Sequence, residues 1–193
     1  MLEIRIHGRG GQGAVVALEM MATTYFRQGQ YVQVFPEFGA ERRGAPVAAY
    51  MRVDSRPVRL RCKIYQPDCI IVLDPVLLNS VDVTVGLKKN GWILINSDKS
   101  SDALNLGKHF NMATINATAI ALKYGLGSRT SPIVNTTMLG AFCRLPLNLS
   151  ISVLKKAIKN KISIKTVNNI SAADEAYNNV KFYGSKTLLP QRP

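Results

Sequence analysis

Leu2-Glu3-Ile4-Arg5-Ile6-His7-Gly8-Arg9-Gly10-Gly11-Gln12-Gly13-Ala14 is the stretch on which the fold turns. Leu2–His7 reads as a strand that runs into a glycine-rich turn over Gly8–Gly13. The turn opens a helix over Ala14–Gln28, rich in Ala, Met and Leu and stopped near Gly29. A strand, then Gly-x-Gly-x-x-Gly, then a helix meets two contextual conditions for a phosphate-binding loop. Glycines permit positive φ and let a ligand approach the backbone. The helix N-terminus adds N–H donors and partial positive charge. Gly8, Arg9, Gly10, Gly11, Gln12 and Gly13 are therefore candidate ligand-binding residues, with Arg9 contributing a cation. A tight turn that binds nothing would carry the same glycines, so the motif alone leaves both readings open.

Outward from the loop, strands and helices alternate. Tyr31–Phe35 is a β-rich run closed by Pro36, and Ala45–Arg52 and Val58–Lys63 read as strands flanking a turn at Asp54–Pro57. Cys69–Leu73, ended by Asp74-Pro75, and Trp92–Asn96 are continuous apolar runs of the kind found in buried strands. Met112–Asn116 is a weaker copy. Helices are expected at Pro75–Ser80, Ala117–Lys123, Thr136–Arg144, Ser150–Asn160 and Ser171–Phe182, the last opened by a capping-box-like Ser171/Asp174 pair. The alternation predicts an α/β fold, a three-layer, mostly parallel, Rossmann-like sheet with helices on both faces. One domain over residues 1–183 and a C-terminal tail at 184–193 are expected, the tail frayed over Leu188–Pro193.

Composition narrows the class. Of 193 residues 47% are apolar and 19% charged, which suits a buried core rather than a disordered chain. No apolar run approaches the ~18 residues of a membrane span. The N-terminus lacks a basic leader and an apolar signal core, so the expected location is cytoplasmic. Lys and Arg number 25 against 12 Asp and Glu, a net charge of +13. Residues 101–193 hold +9 of it, much of it from Lys155, Lys156, Lys159, Lys161 and Lys165. A solvated helix face accounts for that run, and a docking face for an acidic partner is the sharper alternative. No nucleic-acid partner is expected, because no DNA- or RNA-binding motif accompanies the charge.

Cys62, Cys69 and Cys143 form no Cys-x-x-Cys pair, so neither a disulfide framework nor an iron–sulfur or zinc site is indicated. The histidines are His7 and His109. His7 reads as a core or supporting residue at a strand end. No catalytic residue and no metal ligand is expected.

Two further segments carry possible chemistry. Glu37-Phe38-Gly39-Ala40-Glu41-Arg42-Arg43-Gly44-Ala45-Pro46 is a polar, glycine-punctuated loop, and Arg42 and Arg43 can offer forked donors to phosphate or carboxylate. Two solvated arginines in a turn is the competing reading. Glu37 stands about where a dinucleotide fold places its ribose-binding carboxylate, which gives a self-contained NAD-binding oxidoreductase as the alternative. Ser131–Ala141 reads as a loop entering a buried helix, with Asn135 or Thr136 as its cap. Gly140 and Ala141 there suit close packing better than ligand contact.

Taken in series, Glu3-Ile4-Arg5, His7–Ala14, Gln33–Pro46, Pro67-Asp68, Asp74-Pro75 and Asn135-Thr136-Thr137-Met138-Leu139-Gly140-Ala141 closely resemble the gamma subunit of 2-oxoacid:ferredoxin oxidoreductases. The pyruvate (pyruvate synthase) and 2-oxoisovalerate branches are nearest, and the match runs over roughly residues 3–182. The resemblance implies a complex that decarboxylates a 2-oxoacid on thiamine diphosphate, passes electrons through iron–sulfur clusters to ferredoxin and releases acyl-coenzyme A. It implies alpha and beta subunits holding the thiamine diphosphate and a small delta subunit holding clusters. This chain would hold no cofactor alone and would be inactive alone. Coenzyme A is the implied shared ligand, with Gly8–Gly13 near its phosphates and Arg42 and Arg43 adding charge. Thr137 departs from the proline or valine expected before Met-Leu-Gly, and the C-terminal half is unusually basic.

Overall fold

A computed structural model describes residues 1–37, 44–107 and 109–184. Arg42 and Arg43, and tail residues 185–193, lie outside the described residues. In chain order the elements begin with β1 (Leu2–Arg9), α1 (Ala14–Arg27), β2 (Tyr31–Glu37), β3 (Pro46–Asp54) and β4 (Cys69–Val72). A 3-10 helix over Pro75–Asn79 follows, then β5 (Trp92–Asn96), α2 (Ser101–Leu104), β6 (Asn111–Ile115) and α3 (Ala117–Lys123). The chain continues through a short hairpin, β7 (Gly127–Ser128) with β8 (Ser131–Pro132), to α4 (Asn135–Phe142), α5 (Ile151–Lys161), α6 (Thr166–Asn179) and β9 (Lys181–Tyr183). Among the described residues no helix is long and apolar enough to cross a membrane.

Seven strands form one sheet in the order β2-β3-β1-β4-β5-β6-β9. β1, β4, β5 and β6 are mutually parallel. β3 runs against β1, β2 runs against β3, and β9 runs against β6. Five of the seven strands therefore point one way, and the expected α/β sheet is present.

Side-chain alternation sorts the two faces. Ile4, Ile6, Met51, Ile71 and Leu94 face the layer built by α1 and α3 to α6. All eight residues of α4 are buried, which makes it the centre of that layer. On the other face Ile70, Val72, Ile93 and Ile95 pack under Leu77 of the 3-10 helix and Leu104 of α2. Beyond them, toward β1 and β3, that face is polar and carries Arg5, His7, Tyr50 and Arg52, all buried.

Three expectations change. Val58–Lys63 forms no strand, because β3 is already paired on both sides and offers no edge. The Arg52 guanidinium holds the segment instead, donating to the carbonyls of Leu60 (3.3 Å), Cys62 (2.7 Å) and Lys63 (3.4 Å). The last helix starts at Thr166 rather than Ser171 and ends at Asn179. Lys165, with φ 53, turns the chain there, and Asp174 lies in mid-helix bonded to Lys155 at 2.8 Å. Phe182 belongs to β9, edge-on to Trp92 with ring centroids 5.7 Å apart. Finally, the residue before α4 is Val134, with no side-chain cap. Asn135 Oδ1 accepts from the Thr136 N–H at 2.8 Å, while Thr136 Oγ1 donates to Asn169 of α6 at 2.8 Å.

The lysine run is partly tied down internally. Besides Lys155–Asp174, Lys161 meets Glu19 at 2.9 Å and Lys165 donates to the Gly125 carbonyl at 2.5 Å.

Candidate functional site

The carboxyl ends of β1, β4 and β5 converge on a cleft of about 660 Å³. Open α/β sheets place ligands at such a position, and the volume suits a small molecule. Arg9, Gly10, Gly11 and Gln12 form one wall. Asp74 and Asn96, at the ends of β4 and β5, form the floor, with Thr118 of α3 beside them. Thr130, Ser131 and Pro132 of the β7–β8 hairpin close the far side.

The loop keeps its shape through its own contacts. Gly11 and Gly13 take φ of 93° and 78°, where a β-carbon is strained. The Gly10 N–H donates to the Ala45 carbonyl at 2.9 Å, and the Gly44 N–H donates back to Gly10 at 3.1 Å, fixing the loop to the start of β3. Gln12 works as a latch: its Oε1 accepts from the Arg9 N–H and its Nε2 donates to Asp74 Oδ2, both at 2.8 Å. Asp74 Oδ1 in turn accepts from the Val76 N–H at 3.0 Å and so starts the 3-10 helix. Arg9 Nε stands 3.3 Å from Asp74 Oδ2. Arg9 and Asp74 are the charged residues of the described cleft wall, and they balance each other. Asn96 ties the floor together, donating to the Leu73 carbonyl at 2.9 Å and to Thr118 Oγ1 at 3.0 Å.

Of the residues singled out in the sequence, Arg9, Gly10, Gly11 and Gln12 line the cleft. Gly8 and Gly13 sit behind it. A β-carbon on Gly8 would meet Leu73 at 3.3 Å, and one on Gly13 would stand 2.7 Å from the Asn135 amide. These two glycines permit close packing of β4 and α4 against the loop. Asp74, Asn96 and Thr118 escaped the sequence reading as site residues. Asp74-Pro75 carried a signal, since a carboxylate at the end of a buried strand is placed for a cleft.

Glu37 is elsewhere. β3 lies between β2 and β1, and Glu37 accepts hydrogen bonds from the Tyr50 hydroxyl and from Lys63 Nζ on the far face of the sheet. Those bonds hold its carboxyl below the usual range. The ribose-binding role that the NAD alternative required of Glu37 is therefore overturned. Nor does the donor set fit an iron–sulfur cluster: among the described residues no three His, Cys, Asp or Glu side chains gather to hold a metal.

His7 lies near Glu37. Burial, and then the positive charge of Arg5, push its imidazole down to about 4, against an opposing pull from Glu37 that outweighs the small push of Lys63. A folded-state value below the unfolded one means stability is full above pH ~6.5 and falls as pH drops toward 4. We expect the wild type to lose about 3 kcal/mol more over that interval than His7→Asn, from the free-energy equivalent of the shift. Urea titrations at pH 7 and pH 4 check this. Equal losses in both proteins would show that His7 is already charged in the fold.

The sequence profile of the pyruvate ferredoxin/flavodoxin oxidoreductase family matches residues 3–179. Pyruvate synthase subunit PorC of Methanocaldococcus jannaschii is 50% identical over 189 residues, covering 95% of this chain and 100% of the relative. The pyruvate/ketoisovalerate oxidoreductases common subunit gamma of Thermococcus kodakarensis is 45% identical over 187 residues, covering 95% and 99%. The crystal structure of pyruvate oxidoreductase subunit PORC from Thermotoga maritima superposes with a TM-score of 0.80 at 34% identity, over 94% of this chain and 97% of that one. A 2-oxoglutarate:ferredoxin oxidoreductase from Magnetococcus marinus shares the fold, with a TM-score of 0.74 at 22% identity over 100% of this chain and 32% of its own. The glycine-loop cleft thus sits in a subunit of an oxidoreductase complex, and the chain belongs to the gamma subunits of the pyruvate ferredoxin/flavodoxin oxidoreductase family.

Proposed function

We propose that this subunit serves a complex converting pyruvate, or a related 2-oxoacid, with coenzyme A and ferredoxin into acyl-coenzyme A, CO2 and reduced ferredoxin. In this reading alpha and beta subunits hold thiamine diphosphate, a small delta subunit holds iron–sulfur clusters, and ferredoxin accepts the electrons in the cytoplasm. Residues 1–183 act as one gamma domain that helps bind coenzyme A and assemble the complex, with no catalytic group of its own.

The observation that carries the coenzyme A reading is the glycine loop at the wall of a 660 Å³ cleft where parallel strands end. The Magnetococcus marinus structure of the same fold has coenzyme A and succinyl-CoA bound. Because Asp74 balances Arg9, the described wall supplies no net positive charge for phosphates. Arg42 and Arg43 are the cations we assign to that task, since Gly44, the next residue in the chain, lines the cleft.

Replacing Arg42 and Arg43 together with alanine should raise the KM for coenzyme A of the assembled complex about tenfold, the loss expected for charge-assisted phosphate contacts. The KM for pyruvate should stay within about twofold. Steady-state kinetics with each substrate varied in turn checks this. Equal changes in both constants, or a complex that no longer assembles, would overturn the phosphate role.

A further inference from the structure

Arg5 and Arg52 are the buried arginines among the described residues, on adjacent strands and on the same sheet face. Their surroundings differ in one respect. Arg52 Nε meets the Glu3 carboxylate at 2.9 Å. Arg5 Nη2 meets carbonyls alone, those of Val83 at 3.0 Å and Val85 at 2.5 Å. Among the described residues no carboxylate lies within ion-pair distance of Arg5, and its Nε has no hydrogen-bond partner. Carbonyl dipoles orient a guanidinium without neutralising it, and the carboxylates of Asp82 and Glu37 act on it only from beyond ion-pair distance, which leaves a buried charge without a direct partner, a costly arrangement.

Two residues along β1, His7 is 9% exposed and its Nε2 likewise meets no partner. Arg5 and His7 both line a cavity of about 510 Å³ on the sheet face away from the main helical layer. The other charged groups at this cavity already have partners: Lys63 pairs with Glu37 at 2.5 Å, and Asp82 accepts from the Thr84 N–H and hydroxyl. The Tyr50 hydroxyl donates to Glu37. Much of the remaining wall is apolar, from Ala48, Ile64, Leu77, Val81 and Val85. A carboxylate suits Arg5, since it brings a single negative charge in a planar, forked acceptor. The apolar wall then favours a short hydrocarbon stem. A polyphosphate is disfavoured by the carboxylates of Glu37 and Asp82 at the same cavity.

We propose that this cavity is a second ligand site, separate from the glycine-loop cleft, that takes a small free monocarboxylic acid, with the carboxylate on Arg5 and the stem against Leu77, Val81 and Val85. The assignment does not depend on the coenzyme A reading.

The test is calorimetric titration of the purified full chain with 3-methylbutanoate, alongside 3-methylbutan-1-ol, which has the same stem and no charge. Saturable binding of the acid and none of the alcohol is expected. Arg5→Met should weaken binding of the acid at least about tenfold, the loss of a charge-assisted pair. Ala48→Leu fills the cavity and leaves the guanidinium in place, so it should weaken binding as strongly whether or not Arg5→Met folds. Asp74→Asn, in the other cleft, should leave the affinity unchanged. The His7 imidazole resonances should titrate at higher pH with the acid bound, because a neighbouring carboxylate favours the imidazolium. No saturable binding at tens of millimolar acid, equal binding of the alcohol, full affinity in Ala48→Leu, or weakening by Asp74→Asn would each overturn the proposal.

Discussion

Arg52→Met is expected to lower the free energy of unfolding by about 3–5 kcal/mol, the cost of breaking a buried ion pair from one side. Arg52 is 2% exposed and does three jobs at once. It pairs with Glu3, supplies donors to the carbonyls of Leu60, Cys62 and Lys63, and stacks 5.5 Å over the Phe35 ring. Methionine fills part of the volume and offers no donor. Among the described residues Glu3 would keep only Lys88, 3.8 Å away. Segment 58–63 would lose its tie to the sheet, so trypsin should cut after Arg59, Arg61 or Lys63 well before it cuts the wild type. Arg52→Lys should recover only part of the loss, since an ammonium cannot reproduce the guanidinium fork. An unfolding free energy within ~0.5 kcal/mol of the wild type, the range of neutral surface changes, would show that the fork is not what holds this segment.

Gly140→Ala should be nearly as damaging, and here the sign is diagnostic. In an exposed helix, glycine to alanine gains up to ~1 kcal/mol. At this position the new β-carbon would lie 2.0 Å from the Ala173 carbonyl oxygen and 2.6 Å from that residue's Cα. Those are backbone atoms of α6, so no side-chain rotation relieves the contact and the two helices must separate. Overpacking of this kind costs about 1–3 kcal/mol or more. Calorimetric melting of the two proteins decides the matter. A variant that melts higher than the wild type would mean that α4 and α6 do not cross this closely in solution.

The parts of the molecule that were legible in the sequence are those where local signals and tertiary need agree. β1, the glycine loop and α1 are contiguous, so their order could be read directly, and Arg9 to Gln12 of that loop line the cleft. Asp74, Asn96 and Thr118 reach that cleft through the parallel pairing of β1, β4, β5 and β6, and one sequence carries no mark of which strands are neighbours. Val58–Lys63 alternates like a strand but meets a sheet with no free edge beside β3. The start of α6 was hidden for a related reason. Asn168 and Asn169 are weak helix formers, yet Asn169 is held by Thr136 of α4 and the Asn168 amide donates to the Tyr124 carbonyl at 2.9 Å. Arg5 and His7 stand on a part of the sheet that the 3-10 helix and α2 do not cover, and nothing local in β1 shows which part of a sheet face will go uncovered. The C-terminal lysines illustrate the converse: their spacing is visible, but Asp174, Glu19 and the Gly125 carbonyl that engage three of them are not.

The order β1-β4-β5-β6-β9 also runs in the direction of protein synthesis. As the chain leaves the ribosome, β5 and β6 each find their partner in the strand made just before, whereas β4 reaches back past β2 and β3 to β1. While β2 stays the edge on the other side of the sheet, the same sequence of events moves the open edge on this side from β4 to β5 and then to β6. That edge is covered only when Lys181–Tyr183 lies antiparallel against Met112–Thr114. Until then a nascent chain on a crowded polysome presents β6 as a template to its neighbours, and three late residues end that exposure.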